Sequence, residues 1–388
     1  MTVPKGFQPF PRSEYLNRLG RVKKEMSRRG LDMIFVVDEH NITYLTGYLG
    51  LSAYVPQGVI ITMAEEEPLI ILRQCDAPAG LHQCFMAQDR VIHYSEDLVG
   101  NPNQDGFDMI IKCMLDLGAA KASVGVELTA MSSLSADKFR KALGAKITDI
   151  TRMVTWLRLV KSDREIEAMR EAAAISDAAM LRAAEVIRPG VREADASAEI
   201  IATLIRGANG KPGSRLAAFF MCASPRIGTC HIPWAEDEFR QASQINLELG
   251  GVRHGYVSGL MRTYSIGKPS DRLQKMHDIQ VSGLEAALEA IKPGATCSDV
   301  ANAFYSTIGK QGLKKDTRCG YAHGIGWLEP TASLRDGDMT VLEPNMTFHM
   351  MLGNWVADDF GHTISETFRV TDTGVDVLTS APRDIFVL

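Results

Sequence analysis

With 388 residues, 45% of them apolar and 23% charged, the chain has the composition of an ordinary globular protein and the length of two domains. The formal net charge of −5 comes without long runs of like charge, which argues against nucleic acid or an anionic membrane surface as a partner. The N-terminus has no secretory apolar region, and seven scattered cysteines without CxxC spacing predict reduced thiols rather than disulfides or zinc sites. We therefore expect a cytoplasmic protein that does not contact membranes.

The first part of the chain alternates short apolar runs with helical patterns, which is typical of an α/β domain with a mixed or parallel sheet. Near residue 160 this pattern changes, and Ser162 with Glu165 forms an S-x-x-E capping box that predicts the start of a long helix. We place a domain boundary here, between residues 1–158 and residues 159–388. The predicted strands of the first domain are 33–37, 58–62, 68–72 and 122–126, and its clearest helices are 13–29 and 105–117.

Two passages of the second domain are nearly the same. The helix MLRAAEV leads into IRPGVREAD, and 104 residues later GLEAALEA leads into IKPGATCSD. Each passage predicts a helix that stops at Pro-Gly and a second helix after it, although such a helix stop is common by itself. Because the shared Asp keeps the same offset, we predict two similar halves whose four helices cover one face of an antiparallel sheet. The predicted strands are 242–249, 254–266, 347–353 and 363–371.

Several segments along the chain occur in an order known from one enzyme superfamily. They are NITYLTGY at 41–48, TWLRLVKSDREIEAMREAA from 155, INLELGGVRHGYVSGLMRT from 245, YAHGIG, TVLEPNMTF and ISETFRV. Together they resemble the creatinase/prolidase/methionine-aminopeptidase superfamily over essentially the whole chain. The resemblance implies an α/β (α+β) protein, in which an N-terminal creatinase-like domain precedes a C-terminal pita-bread domain with pseudo-twofold halves.

The metalloenzymes of this superfamily hold two divalent ions with two Asp, one His and two Glu. By resemblance those five positions fall on Glu248, Gly259, His323, Met351 and Glu366. Because Gly259 and Met351 have no side-chain oxygen, two hard cations cannot be held in this way. A single zinc on the remaining three groups is the alternative. We expect no metal and no cofactor, and His323 then either contacts substrate or remains in the core as a vestigial ligand.

Two branches without the metal pair are the creatinases and the ectoine hydrolases, which hydrolyse C–N bonds of small amidine-type molecules. Creatinases carry a Glu where this chain has Met261, whereas the ectoine hydrolase pattern fits residues 50–57, 297–304 and 333–361. The resemblance therefore implies ring opening of ectoine or 5-hydroxyectoine to N-acetyl-diaminobutyrate without a metal. The alternatives are a creatinase-like amidinohydrolase, an Xaa-Pro dipeptidase or aminopeptidase, and an inactive protein that binds a ligand.

Three residues are the catalytic candidates. Glu248 is acidic on an otherwise apolar strand, where burial raises the pKa of a carboxyl group towards neutrality, so we predict a nucleophile or general base. His231 matches a substrate-contacting His of the superfamily and is the predicted proton donor to the leaving nitrogen. Glu366 is predicted to pair with the cationic substrate or to orient His231.

The remaining candidates are substrate-binding residues. Trp355 and Phe360 are predicted to stack on the cation, with Asp358 or Asp359 supplying charge and Met351 lining the pocket.

The N-terminal domain adds Tyr54 and Gln57, because the equivalent segment of creatinase-like dimers reaches the active site of the partner. We therefore expect a homodimer that binds a small-molecule substrate.

Overall fold

The computed structural model describes residues 3–50, 52, 54–144, 147–357 and 359–388. Contacts along the chain divide it into two units, Met1–Arg158 and Leu159–Leu388. Within the described ranges, every helix is too short or too polar to cross a membrane.

The N-terminal unit is built on a six-stranded mixed sheet in the order β4-β3-β2-β1-β5-β6. Strand β1 pairs antiparallel with β2 and parallel with β5, and all three are apolar and buried, as the sequence predicts. The strands are β1 (Met33–Val36), β2 (Gly58–Thr62), β3 (Leu69–Arg73), β4 (Val91–Tyr94), β5 (Val124–Val126) and β6 (Thr148–Asp149). The helices are α1 (Arg12–Arg28), α2 (Glu39–Thr46), α3 (Ala77–Gln83), α4 (Gly106–Asp116), α5 (Ser133–Leu143) and α6 (Met153–Leu157).

The C-terminal unit contains four long helices and two main sheets, with strand orders β17-β9-β8-β7 and β11-β10-β12-β15-β16. Its helices are α7 (Asp163–Val186), α8 (Glu193–Arg206), α9 (Asp271–Ala290) and α10 (Cys297–Lys310). Its strands are β7 (Phe219–Ala223), β8 (Gln244–Arg253), β9 (Tyr256–Ser265), β10 (Gly320–Ala322), β11 (Ser333–Leu334), β12 (Thr347–Met351), β13 (Asn354–Ala357), β14 (Phe360–His362), β15 (Ser365–Val370), β16 (Val375–Val377) and β17 (Phe386–Val387).

The two predicted halves are present, and each has its own core. Residues of α7 and α8 pack on β7, β8 and β9, whereas residues of α9 and α10 pack on β10, β12 and β15. The repeated Asp has a structural explanation, because Asp195 and Asp299 both lie at the third position of a helix that follows the Pro-Gly stop. Asp299 completes a capping box with Thr296, and the predicted box of Ser162 and Glu165 opens α7.

Successive side chains of a β-strand point to opposite sides of the sheet, so the C-terminal sheets have two distinct faces. Leu247 and Leu260 belong to the core with α7 and α8, and Phe348 and Phe368 belong to the core with α9 and α10. The residues that alternate with them point away from the helices, and we call this side the inner face. On β8, β9, β12 and β15 the inner face carries Glu248, Gly250, Gly259, Met261, His349, Met351, Ser365 and Thr367.

Candidate active site

Glu248 is the buried acidic residue at the centre of the candidate site. It stands on β8 with Phe220 of β7 on one side and Met261 of β9 on the other. The residue is 5% exposed, and its Oε1 has no hydrogen-bond partner among the described residues. Burial raises the pKa of Glu248 to about 8. A buried carboxyl group without a partner costs stability, which points to a function rather than to packing.

His231 is brought next to this carboxyl group by the loop that follows β7. Its Nε2 lies 3.9 Å from Oε2 of Glu248, and its ring packs edge-on against Phe220 with centroids 5.1 Å apart. The side chain is 58% exposed, so it can exchange protons with solvent or with a ligand. The backbone of His231 is left-handed, with φ 57°, a conformation that a non-glycine residue adopts at a cost. The structure therefore places the predicted base Glu248 and the predicted proton donor His231 side by side, while their catalytic roles stay predictions.

Aromatic rings that the sequence analysis missed form the walls beside Glu248. Tyr321 of β10 is buried on the inner face, and burial first and the nearby Glu248 charge second raise the pKa of its hydroxyl. Trp327 lies over Gly250, where an added Cβ would stand 2.7 Å from the indole ring. Both residues belong to the YAHGIGW segment, but only the folded chain shows that they flank a carboxyl group.

His349 fills the inner face next to this aromatic wall. A Cβ at Gly259 would lie 2.8 Å from two atoms of the imidazole, so the ring occupies the space that a side chain at 259 would need. Nε2 of His349 lies 2.8 Å from the Ser365 hydroxyl, which also accepts the N–H of Met261 at 2.7 Å. Complete burial lowers the pKa of His349 well below its usual value, so the ring is neutral.

Comparison with known proteins places this arrangement in a family. Residues 18–160 match the Creatinase/Prolidase N-terminal domain, and residues 167–372 match Metallopeptidase family M24. The chain belongs to family M24.

Three relatives illustrate the similarity. The M24 chain is 59% identical to the "Uncharacterized hydrolase/peptidase y4tL" of Sinorhizobium fredii over 100% of both chains. It is 34% identical to the ectoine hydrolase of Halomonas elongata over 98% of both chains. The Xaa-Pro dipeptidase from Bacillus anthracis shares the fold, with TM-score 0.81 and 24% identity over 96% of this chain and 100% of that chain. These relatives confirm the predicted fold class and indicate that the M24 protein is a hydrolase.

The inner face of this M24 protein does not fit the metal pair that the family name implies. Gly259 and Met351 offer no side-chain oxygen for a hard cation, and the ring of His349 fills the space above Gly259. Among the described residues, no group of three or more His, Cys, Asp or Glu side chains is arranged to hold a metal ion. The set of Glu248, His323 and Glu366, considered as a zinc site from the sequence, is therefore not found as a group of ligands among the described residues.

His323 was predicted to contact substrate or to remain as a vestigial ligand, and the structure supports only the second expectation. The side chain is 0% exposed. Its Nε2 accepts the backbone N–H of Gly259 at 3.0 Å, and its Nδ1 lies 2.8 Å from the carbonyl of Trp327. An imidazole that accepts at Nε2 donates from Nδ1, so both nitrogens are occupied by the backbone. Burial lowers the pKa of His323 to about 3, and the neutral ring is a fixed structural link.

Glu366 does not face the candidate site, and its predicted catalytic role is wrong. It lies on the helix side of β15, where its carboxylate pairs with Arg262 at 3.0 Å and Arg383 at 2.9 Å and accepts a hydrogen bond from Thr379. The neighbouring residue Ser365 is the one that points to the inner face, directly opposite Met351. A shift of one residue along a strand exchanges the two faces, which explains the error.

The other predicted contacts of the C-terminal unit are only partly found at the site. Met351 lies on the inner face. Trp355 instead donates its indole N–H to the carbonyl of Thr229 at 2.8 Å, which anchors the loop that carries His231. The ring of Phe360 is covered by the guanidinium of Arg272, 4.0 Å from its centroid, so it is not available to a ligand cation.

The acidic pair predicted near Trp355 is not part of the site either. Asp359 is 79% exposed and lies 3.7 Å from Arg272, which makes it a surface charge. Asp358 lies outside the described residues.

Tyr54 and Gln57 line a cavity of about 560 Å³ within the N-terminal unit. The side chain of Tyr54 is 74% exposed, with Arg73 lying 5.0 Å from its ring centroid, whereas Gln57 is buried. Of the two residues, Tyr54 is therefore the one that presents its side chain at the surface. A contact across a dimer remains a prediction for it.

Proposed function

We propose that this M24 protein is a metal-independent hydrolase that opens a C–N bond of a small cyclic amidine, with ectoine and 5-hydroxyectoine as the first candidate substrates. The observation that carries the proposal is the buried carboxyl group of Glu248, whose Oε1 has no hydrogen-bond partner among the described residues and which is flanked by aromatic rings. Such a pocket suits a planar organic cation. The relative from Halomonas elongata that bears the name ectoine hydrolase supports the choice of substrate.

The charge of Glu248 and that of the substrate are coupled. Because its pKa is about 8 in the free protein, Glu248 is mostly protonated at pH 7. An amidinium group placed against the carboxyl stabilises the carboxylate and lowers this pKa, so substrate binding releases a proton. The substrate thereby converts Glu248 into the base that the reaction requires.

The hydrolysis needs one base and one acid, and Glu248 and His231 provide them. The Glu248 carboxylate takes a proton from water while the water oxygen bonds to the amidinium carbon. One ring C–N bond then breaks, and its nitrogen leaves as an amine after receiving a proton from the imidazolium of His231. The hydroxyl proton of the intermediate then passes to this amine, which becomes an ammonium ion. The other nitrogen remains in an amide, so ectoine gives N-acetyl-diaminobutyrate. Proton transfer from Glu248 back to His231 restores both groups, and each such role contributes about 10² to 10⁴ in rate.

Residues of the candidate site also disfavour the alternative activities. A creatinase-like reaction with a second carboxylate at position 261 is disfavoured, because Met261 is fully buried opposite Glu248. Xaa-Pro peptide hydrolysis through two metals is disfavoured by Gly259 and Met351. A purely ligand-binding protein would have no use for the exposed His231 beside Glu248. The protein is also proposed to be cytoplasmic and to form a homodimer. Sedimentation of the purified protein tests the dimer.

Replacement of Glu248 by Gln is the direct test. The variant keeps the shape of the side chain but removes the base, and we expect ectoine hydrolysis to fall about 10² to 10⁴-fold with an unchanged circular dichroism spectrum. Glu236→Gln is the matched control, because Glu236 is exposed and follows His231 closely in the chain. A Glu248→Gln enzyme with the wild-type rate would refute the assignment, and a wild type inactive on ectoine and 5-hydroxyectoine would refute the substrate.

A further inference from the structure

A cavity of about 940 Å³ lies between the last turns of α10 and strand β11. Four basic residues line it, and the two lysines among them already have polar partners. Lys314 pairs with Asp316 at 2.7 Å, and the buried ammonium of Lys315 donates to the Thr317 hydroxyl at 2.7 Å and to the carbonyl of Gly353. The other two basic residues of the lining are Arg318 and Arg335.

Arg318 and Arg335 both line this cavity, and neither makes an ion pair with any carboxylate of the described residues. The acidic neighbour Asp336 does not pair with them, since it accepts hydrogen bonds from Ser298 and Asn302. Two guanidinium groups without counter-charges give the cavity a positive potential that favours an anion.

Arg318 is held in place by an aromatic ring. It is half-buried, and its guanidinium lies over Tyr321, 4.5 Å from the ring centroid. One N–H points to the Ser333 hydroxyl at 3.5 Å, which is too long to satisfy the donor. Stacking fixes the plane of the guanidinium while leaving its edge donors to a ligand, and guanidinium groups bind carboxylates through two parallel hydrogen bonds.

Tyr321 links this arginine to the candidate active site. The charges of Glu248 and Arg318 both act on the Tyr321 hydroxyl, in opposite directions. The two residues do not pair with each other. Within the part of the chain that the structure describes, Oε1 of Glu248 has no hydrogen-bond partner and Arg318 forms no ion pair. An acidic group with one oxygen left for a ligand and a guanidinium without an ion pair, both near the Tyr321 hydroxyl, match a ligand that carries both charges.

We propose that Arg318, assisted by Arg335, binds the carboxylate of a zwitterionic substrate whose amidinium group is bound at Glu248. The inference rests on the proposed function and adds that the substrate is an amino-acid-like amidine rather than a simple cation. The arginine pair then selects against amidines without a carboxylate.

A pair of matched ligands tests the proposal. Ectoine is compared with 2-methyl-1,4,5,6-tetrahydropyrimidine, which is the same ring without the carboxylate, by calorimetric binding and by turnover. We expect Arg318→Gln to weaken ectoine binding at least tenfold and to leave binding of the carboxylate-free ring unchanged, with Arg318→Lys in between. Arg164→Gln, an exposed arginine at the start of α7, is the control that changes neither. Equal effects on both ligands, or none on ectoine, would overturn the proposal.

A second measurement separates this inference from the proposed function. If the wild type binds neither ring, the proposed function has failed. Thermal stability is then followed in sodium acetate against sodium chloride at equal ionic strength. Stabilisation of the wild type by acetate that Arg318→Gln abolishes supports the anion site, and an equal response of both proteins refutes it.

Discussion

The imidazole of His231 lies 3.9 Å from the carboxyl group of Glu248. One group is buried and the other is exposed, so the two differ in how readily they hold charge. In the proposed reaction, a cationic substrate binds between Glu248, which loses its proton, and His231, which donates one. This relationship is the basis of the predictions below.

The first prediction concerns stability and pH. The usual pKa of a Glu carboxyl is 4.5, and that of Glu248 in the folded protein is about 8. The folded state holds the Glu248 proton up to a higher pH than the unfolded state does. The free energy of unfolding of the wild type is therefore unaffected by this group below pH 4.5 and decreases as the pH rises towards 8. Gln does not titrate, so this decrease is absent in Glu248→Gln. The free energy of unfolding of the variant minus that of the wild type should therefore grow by about 1.4 kcal/mol per pH unit between these limits.

Urea denaturation at pH 5 and pH 8 measures this advantage, with Glu236→Gln as the exposed control. A difference between Glu248→Gln and wild type that is the same at both pH values would show that the folded pKa is not raised.

The second prediction concerns the rate. In the free enzyme Glu248 must lose its proton before it acts as a base, so kcat/KM for ectoine should rise with pH below pH 8. Because His231 must keep the proton that it donates, the rise should not continue at high pH. The amidinium substrate keeps its charge over this range and contributes no titration of its own. A pH-rate profile settles the point, and a flat profile between pH 6 and 8 would assign the base to another group.

The third prediction concerns the ring that fills the inner face. His349→Ala leaves a cavity above Gly259 and should lower the free energy of unfolding by about 2 to 4 kcal/mol. Imidazole added to the buffer should enter this cavity and raise the melting temperature of the variant but not that of the wild type. His93→Ala, at an exposed position, is the control. Absence of rescue by imidazole would mean that the site collapses instead of remaining open.

The fourth prediction concerns the loop that carries His231. Trp355→Phe keeps an aromatic ring but removes the hydrogen bond to Thr229, which contributes about 0.5 to 1.5 kcal/mol. We expect a several-fold lower kcat/KM because His231 is held less firmly, and a melting temperature close to that of the wild type. Trp156→Phe in the N-terminal unit serves as the control. Unchanged kinetics in Trp355→Phe would show that the loop does not depend on this bond.

Some of the site could be predicted from sequence and some could not, for physical reasons. Glu248 stood out because a charged residue in the apolar run INLEL must be buried. Glu366 was assigned to the wrong face, because the segment ISETF offers two adjacent polar residues and a strand turns each to an opposite side. Tyr321 and His349 gave no local signal, since their roles come from contacts between strands that are distant in sequence.

The fold was more accessible than the site. Apolar runs with β-branched residues marked β1 and β2, and the Pro-Gly stops marked the ends of α7 and α9, because these signals are local in the chain. His323 shows the limit of such signals. Its segment matches that of a metal ligand, yet its nitrogens bind the backbone of Gly259 and Trp327.

Hydrolysis of ectoine by protein freed of metal is the most direct test of the central claim. The protein is dialysed against a strong chelator, its metal content is measured by mass spectrometry, and amine release from ectoine is followed with and without added Mn²⁺, Zn²⁺ or Co²⁺. We expect full activity at far below one metal ion per chain and no gain from any added ion. Activity that disappears with the metal and returns with one of these ions would contradict it.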